Sequence, residues 1–174
     1  MGNFLIRHKT SRMIPKATQT ALQRIVIDTN VCLDLFLFRD PRWQELMDGL
    51  KSGEIDAVTS ASCRMEFTLV LAYEKMQLST ESQATILQEF DQLIRLVDLP
   101  ATPSANSVIK LPVCKDRDDQ KFLELAYASQ ADTLITKDKA LLKLARKTIR
   151  SQLFRIFSPE SWLASYVPKL DLSK

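Results

Sequence analysis

Six acidic side chains stand at positions where a folded chain can use them together. Asp28 ends the apolar run Ile25-Val26-Ile27, and Asp138 follows the run Thr133-Leu134-Ile135-Thr136. Asp116, Asp118 and Asp119 cluster just ahead of KFLELAYAS, and Glu66 lies inside SASCRMEFTLVLAYEKM. Carboxylates gathered in one cleft hold hard divalent cations, and such cations act on phosphates. Other tools are scarce. The only histidine is His8, which argues against His-based nucleophilic triads and His-rich metal sites. Gly2, Gly49 and Gly53 form neither a GxxxxGK[ST] nor a GxGxxG loop, so nucleotide binding through either loop is excluded.

Three of these acids have an ordinary alternative use. Asp118 and Asp119 suit a helix N-terminus through its dipole, and Asp138 suits the cap of the next helix. Glu66 is harder to dismiss. Its helical neighbours onward are Leu69, Val70 and Tyr73, which place it on an apolar face. A buried unpaired carboxylate costs several kcal/mol and needs a cation, a proton or strong donors. Asp28, after three apolar residues, has the same need, and one bound metal serves all of them. With oxygen donors only, that metal is expected to be Mg²⁺ or Mn²⁺ rather than Zn²⁺ or Cu²⁺.

The elements that must position these acids alternate. Ile25–Asp28 reads as a buried parallel strand, followed by a short helix over Val31–Phe38. Asp40-Pro41 opens a helix to about Leu50, with Gly53 near its stop, and Ile55–Thr59 is a second strand. Ser60 caps a helix through Met76 whose apolar residues nearly surround it, as in a buried helix. Thr80-Glu81-Ser82-Gln83 fits a capping box for a helix to about Leu96. A Pro-rich connection, Leu99 to Lys115, leads to a helix opened by Asp116–Asp119; its length leaves room for a hidden strand or a flap. Thr133–Thr136 is a strand, Ala140–Ala145 a helix, Leu153–Phe157 the last strand, and Ser158-Pro159-Glu160 caps a closing helix through Trp162. Such alternation predicts one α/β domain: a three-layer sandwich around a central, mainly parallel sheet of Rossmann-like topology. Ligands of such sheets bind at the carboxyl ends of the strands, where the strand order reverses. Asp28, Asp138, the Asp116–Asp119 cluster and Glu66 are expected at that edge.

Of 174 residues, 24 are Lys or Arg and 21 are Asp or Glu, for a net charge of +3. The excess is local. Arg7, Lys9, Arg12, Lys16 and Arg24 lie in the first 24 residues with no acid, and beyond them 19 basic residues face 21 acidic ones. Residues 1–23 therefore read as a basic, flexible extension, 24–168 as the single domain and 169–174 as a tail. Cys32, Cys63 and Cys114 form no CxxC pair and read as free thiols of a reducing cytoplasm. No apolar run approaches the roughly 18–20 residues that cross a bilayer, so no membrane partner is expected.

IVIDTN around Asp28, RMEF around Glu66, and CKDRDDQKFLELAYASQADTLITKDKALL together resemble a PIN domain. The last segment is most similar to the toxin branch of toxin–antitoxin systems related to the VapC ribonucleases. The likeness covers roughly residues 24–165. It implies five parallel strands and an acidic pocket for one or two Mg²⁺ or Mn²⁺ ions. The four acids that match the family motifs are Asp28, Glu66, Asp119 and Asp138, with Asp116 a fifth metal ligand one turn before Asp119. Asn30 and Thr136 match the polar residues that orient the carboxylates or a water. Two positions depart from that branch: Gln120 stands where another Asp is frequent, and Lys137 where a small or polar residue is common.

The activity implied is divalent-metal-dependent hydrolysis of an RNA phosphodiester by water, leaving a 5′-phosphate and a 3′-hydroxyl. Asp28, Glu66 and Asp119 would hold one ion, and Asp138 with Asp116 a second, weaker one. Lys115, Arg117, Lys137 and Lys139 flank the acids and are expected to track the substrate backbone. The resemblance also implies a cognate antitoxin as partner and a homodimer; the helices at Asp40–Leu50 and Thr80–Leu96 offer a surface for it, though their apolar faces serve equally well as ordinary core, the commoner use. Two alternatives stay open. A non-catalytic PIN scaffold uses the same fold. A phosphatase of the haloacid dehalogenase type also begins with an acid after a strand, but needs an Asp where this chain has Asn30.

Overall fold

The computed structural model describes residues 22–99 and 110–166. Expectations for residues 1–21, for 100–109 in the Pro-rich connection and for the tail from 167 onward lie outside the described residues. β1 (Gln23–Ile27), β2 (Ile55–Thr59), β3 (Arg95–Leu96), β4 (Thr133–Ile135) and β5 (Arg155–Phe157) form one sheet in the order β3-β2-β1-β4-β5. Every described pairing is parallel, with Val26 opposite Val58 on one side and Leu134 on the other. From β1 the chain moves outward to β2 and β3, then returns to lay β4 on the other flank. The order thus reverses between β1 and β4.

Both faces of the sheet are covered, which is why its central strands carry the continuous apolar runs Ile25–Ile27, Ala57-Val58 and Leu134-Ile135. Ile25, Ile27, Ala57 and Ile135 face one core, and Val26, Val58 and Leu134 face the other. The first core holds α1 (Thr29–Cys32), α2 (Gln44–Ser52), α4 (Thr80–Leu93) and α8 (Pro159–Ser165). The second is built on α5 (Gln120–Ala128), with Leu141 from α6 (Lys139–Leu142); α7 (Ala145–Arg150) leads on toward β5. α3 (Ala61–Leu71) sends Phe67 and Leu71 into the first core and Cys63 into the second. The apolar faces of α2 and α4 are used there too, through Leu46, Met47, Leu50, Ile86 and Phe90.

Several boundaries differ from the sequence expectations. β1 begins at Gln23, inside the proposed extension. The helix over Val31–Phe38 is α1 followed by a π turn, Leu33–Leu37. Asp40 does cap the next element, accepting the Arg42 N–H at 3.0 Å, but a 3₁₀ turn (Pro41–Trp43) precedes α2. α3 stops at Leu71 instead of Met76, because Tyr73 turns to an extended conformation. Nor is α3 buried all round: Met65, Leu69 and Tyr73 are exposed. The cap of α4 is Ser79, which accepts the Ser82 N–H at 3.1 Å, rather than Thr80. α4 ends at Leu93, and Arg95–Leu96, read as helix, is the fifth strand. The single helix expected over Ala140–Ala145 is two, α6 and α7, and the last strand begins at Arg155 rather than Leu153.

Candidate functional site

The reversal of strand order opens the sheet at the carboxyl ends of β1 and β4, and the chain sets Asp28 and Thr136–Asp138 there. Asp28 is one residue past β1, and its N–H donates to the Ile135 carbonyl at 2.9 Å. It occupies the cap position of α1 with extended dihedrals, yet its side chain makes no capping bond. The carboxylate is buried all the same. Thr136, fully buried, donates its hydroxyl to Asp28 Oδ2 at 2.7 Å and accepts the Asp138 N–H at 2.9 Å. Asp138 caps α6 through Oδ1 alone, accepting from Ala140 and Leu141 at 2.6 and 3.0 Å.

Asp119 heads α5 without making a side-chain cap bond. Its carboxyl is pushed up to about 6, first by burial and then by repulsion from Asp28, Asp138, Asp116 and Glu66. Asp28 is also raised, chiefly by burial. The Thr136 hydroxyl and the Asn30 main-chain N–H pull it down, and Glu66 and Asp138 push it up. Asp119 therefore sits in the field of the other four carboxylates, and Asp28 in that of Glu66 and Asp138. Asp116 belongs to the bend before α5, not to the helix face expected for it, and its Oδ1 accepts the Asp118 N–H at 3.0 Å.

Glu66 departs from expectation. It is not sealed into an apolar face: its side chain keeps 28% of its exposure, and the ammonium of Lys121 is bonded to its carboxylate. No three Asp, Glu, His or Cys side chains among the described residues converge as a ready-made ion cage. By donor type and by charge the group suits a hard divalent cation, with oxygen ligands only and mutual repulsion that such an ion relieves. By spacing it is open, with Glu66 engaged elsewhere.

The basic residues divide. Lys115, Arg117 and Lys139 are exposed around the acids, as is the Asn30 side chain. Lys137 instead reaches Asp34 Oδ2 at 2.5 Å. Asp34, Lys121 and Gln120 were not singled out as site residues from the sequence. Asp34 is buried and also accepts the Trp43 indole N–H at 3.1 Å; an acid inside LDLF was its signal. Lys121 carried one as well, a cation in the first turn of a helix, where the dipole disfavours it. Gln120, at the position of the frequent extra Asp, ties down the preceding loop. Its Oε1 accepts the Cys114 N–H at 2.8 Å, and its Nε2 donates to the Pro112 carbonyl at 3.3 Å.

A cleft of about 880 Å³ opens at the opposite, amino end of the strands, between Gln23, Asp132, Arg155 and Tyr166. It brings together none of the five acids, and its size alone does not make it the reactive site.

Comparison with known proteins agrees with the fold. An uncharacterised protein of Methanocaldococcus jannaschii is 30% identical over 124 residues, covering 70% of this chain and 74% of that one. Among solved structures, a chain from the crystal structure of VapBC2 from Rickettsia felis, bound to a DNA fragment from their promoter, superposes with a TM-score of 0.52. That match covers 78% of this chain and 98% of the other at 15% identity, a likeness of fold. No helix among the described residues is long and apolar enough to cross a membrane. Residues 24–140, which carry every acid considered above, match the PIN domain family along their length, and the chain belongs to that family.

Proposed function

We propose that this chain is a divalent-metal-dependent endoribonuclease that hydrolyses RNA phosphodiesters. The observation that carries the reading is the placing of Asp28 and Asp138 at the strand switch point, with Asp119 partly buried in the field of both and of Asp116 and Glu66; burial first, and then that repulsion, lift Asp119 to about 6. A protein holds carboxylates in repulsion at a cost, and a cation among them turns that cost into binding. Asp28, Glu66 and Asp119 would hold Mg²⁺ or Mn²⁺, with Asp138 and Asp116 beside them. A bound ion of this kind lowers the pKa of water and neutralises charge developing on a phosphate.

The chain's own residues do the rest. Thr136 fixes Asp28 by its hydroxyl, leaving Oδ1 of that carboxylate outside the bond. Asn30 lowers the charge cost of Asp28 through its main-chain N–H. Lys115, Arg117 and Lys139, exposed around the pocket, contact substrate phosphates, and Lys137 adds its charge from its place on Asp34. With water as nucleophile, the products carry a 5′-phosphate and a 3′-hydroxyl. End-group analysis of RNA cleaved in Mn²⁺ tests this, and 2′,3′-cyclic phosphate ends would overturn it.

A cognate antitoxin, in keeping with the fold likeness to a chain of VapBC2, a homodimer and a cytoplasmic setting belong to the same proposal. So does the domain extent of 24–168. One observation favours a second reading, a PIN scaffold without catalysis: Glu66 is bonded to Lys121, and the carboxylates are not gathered into a cage. Heat of Mn²⁺ binding measured by titration calorimetry separates the two, since a scaffold gives none.

A further inference from the structure

Lys121 is placed against the usual rule for helices. It is the second residue of α5, where the positive end of the helix dipole repels an ammonium. What holds it there crosses from α5 to α3: the ammonium lies on the Glu66 carboxylate, and it stands 5.6 Å from the centre of the Phe122 ring. Of the five clustered carboxylates, Glu66 alone makes an ion pair with a Lys or Arg among the described residues. The pair is partly shielded, with Lys121 at 24% and Glu66 at 28% of side-chain exposure. Among the described residues these acids are not gathered into an ion cage, and one of them, Glu66, already holds a tethered cation.

We propose that Lys121 is an internal counter-ion that competes with the divalent metal for Glu66. Its ammonium satisfies the Glu66 carboxylate while no metal is bound. Metal binding displaces it, and Glu66 then turns to join Asp28 and Asp119. The same side chain therefore stabilises the empty pocket and weakens the filled one. This rests on the metal-dependent reading of the site, but it makes a claim of its own, about which residue sets the metal affinity.

Titration calorimetry of the full chain with MnCl₂ tests it, using wild type, Lys121→Met, Lys121→Gln, Lys121→Arg and Lys143→Met. Lys143, exposed at the end of α6, controls for loss of one positive charge. Removing a competing, partly exposed ion pair should tighten Mn²⁺ binding about fivefold in Lys121→Met and Lys121→Gln. Lys121→Arg and Lys143→Met should stay within about twofold of wild type on the same scale. In EDTA the melting temperature of Lys121→Met should fall by about 2–4 °C, and saturating Mn²⁺ should abolish that difference. Unchanged or weaker Mn²⁺ binding in both Lys121→Met and Lys121→Gln overturns the proposal, as does an equal gain in Lys143→Met. If wild type binds Mn²⁺ and the Lys121 variants match it, only this proposal fails. If neither wild type nor the Lys121 variants bind Mn²⁺, the metal reading fails with it. Binding gained only when Lys121 is removed supports the competition.

Discussion

The Thr136 hydroxyl donates to Asp28 Oδ2 at 2.7 Å, joining the residue after β4 to the residue after β1 across 108 positions of sequence. That bond is made where the two strands separate, and the same hydroxyl accepts the Asp138 N–H. One buried side chain therefore orients a carboxylate on one strand and the turn that carries a second.

Thr136→Val keeps the shape and removes both bonds. It leaves a buried carboxylate and a main-chain N–H short of a partner, so stability should fall by roughly 1–3 kcal/mol. Metal affinity or cleavage should drop roughly 10–100-fold, as for groups that orient metal ligands. Denaturant unfolding and Mn²⁺ titration of the same variant check both. A variant as stable and active as wild type would contradict the role.

The Asp119 carboxyl sets the pH dependence. Its folded value, about 6, lies above the ordinary 3.8, so the fold favours the protonated form. In metal-free protein its contribution to stability is fully present below the ordinary value and is lost as pH rises through about 6. The melting temperature in EDTA should therefore slope downward across that window, and the slope should flatten in Asp119→Asn. Mn²⁺ affinity should show the opposite trend, rising through about pH 6 as binding no longer has to expel a proton. Parallel melting curves and titrations from pH 4 to 7.5 check the sign.

Asp34 and Lys137 meet 103 positions apart in sequence, at 2.5 Å. Lys137→Met leaves the buried Asp34 with the Trp43 indole as its remaining partner. We expect a loss of about 1 kcal/mol, kept small because Lys137 is partly exposed. Lys139→Met, at a residue with no such partner among the described residues, should be neutral within about 0.5 kcal/mol. Equal unfolding midpoints for the two variants would contradict the pairing.

Gln120→Ala frees the loop at Pro112–Cys114 by deleting both of its side-chain bonds. Amide hydrogen exchange at Cys114 should accelerate by about tenfold, while the α5 amides beyond Leu123 stay protected. Unchanged exchange at Cys114 would show that the loop is held by other contacts.

The central strands and the acids at their ends were legible because burial on both faces leaves an unmistakable signature: IVI ending in Asp28, and TLIT two residues before Asp138. Arg95–Leu96 was not, since a two-residue edge strand with both side chains exposed carries no apolar pattern. Helix ends were obscured for a related reason. With three glycines in the chain, Arg39, Gln77, Gln130 and Gln152 take the left-handed turns that glycine ordinarily marks. Glu66 was misplaced because its neighbours Leu69 and Tyr73, apolar in type, are exposed in the fold. Its partner Lys121, like the partner of Asp34, is a tertiary contact that no local spacing announces.

Metal-dependent cleavage at Asp28 is read from the rate at which purified protein cuts single-stranded RNA, measured for wild type and Asp28→Asn in Mn²⁺ and in EDTA. Wild type should cleave in Mn²⁺ alone, with a loss of at least about 100-fold on adding EDTA or on substituting Asp28. Cleavage that persists both in EDTA and in Asp28→Asn would contradict it.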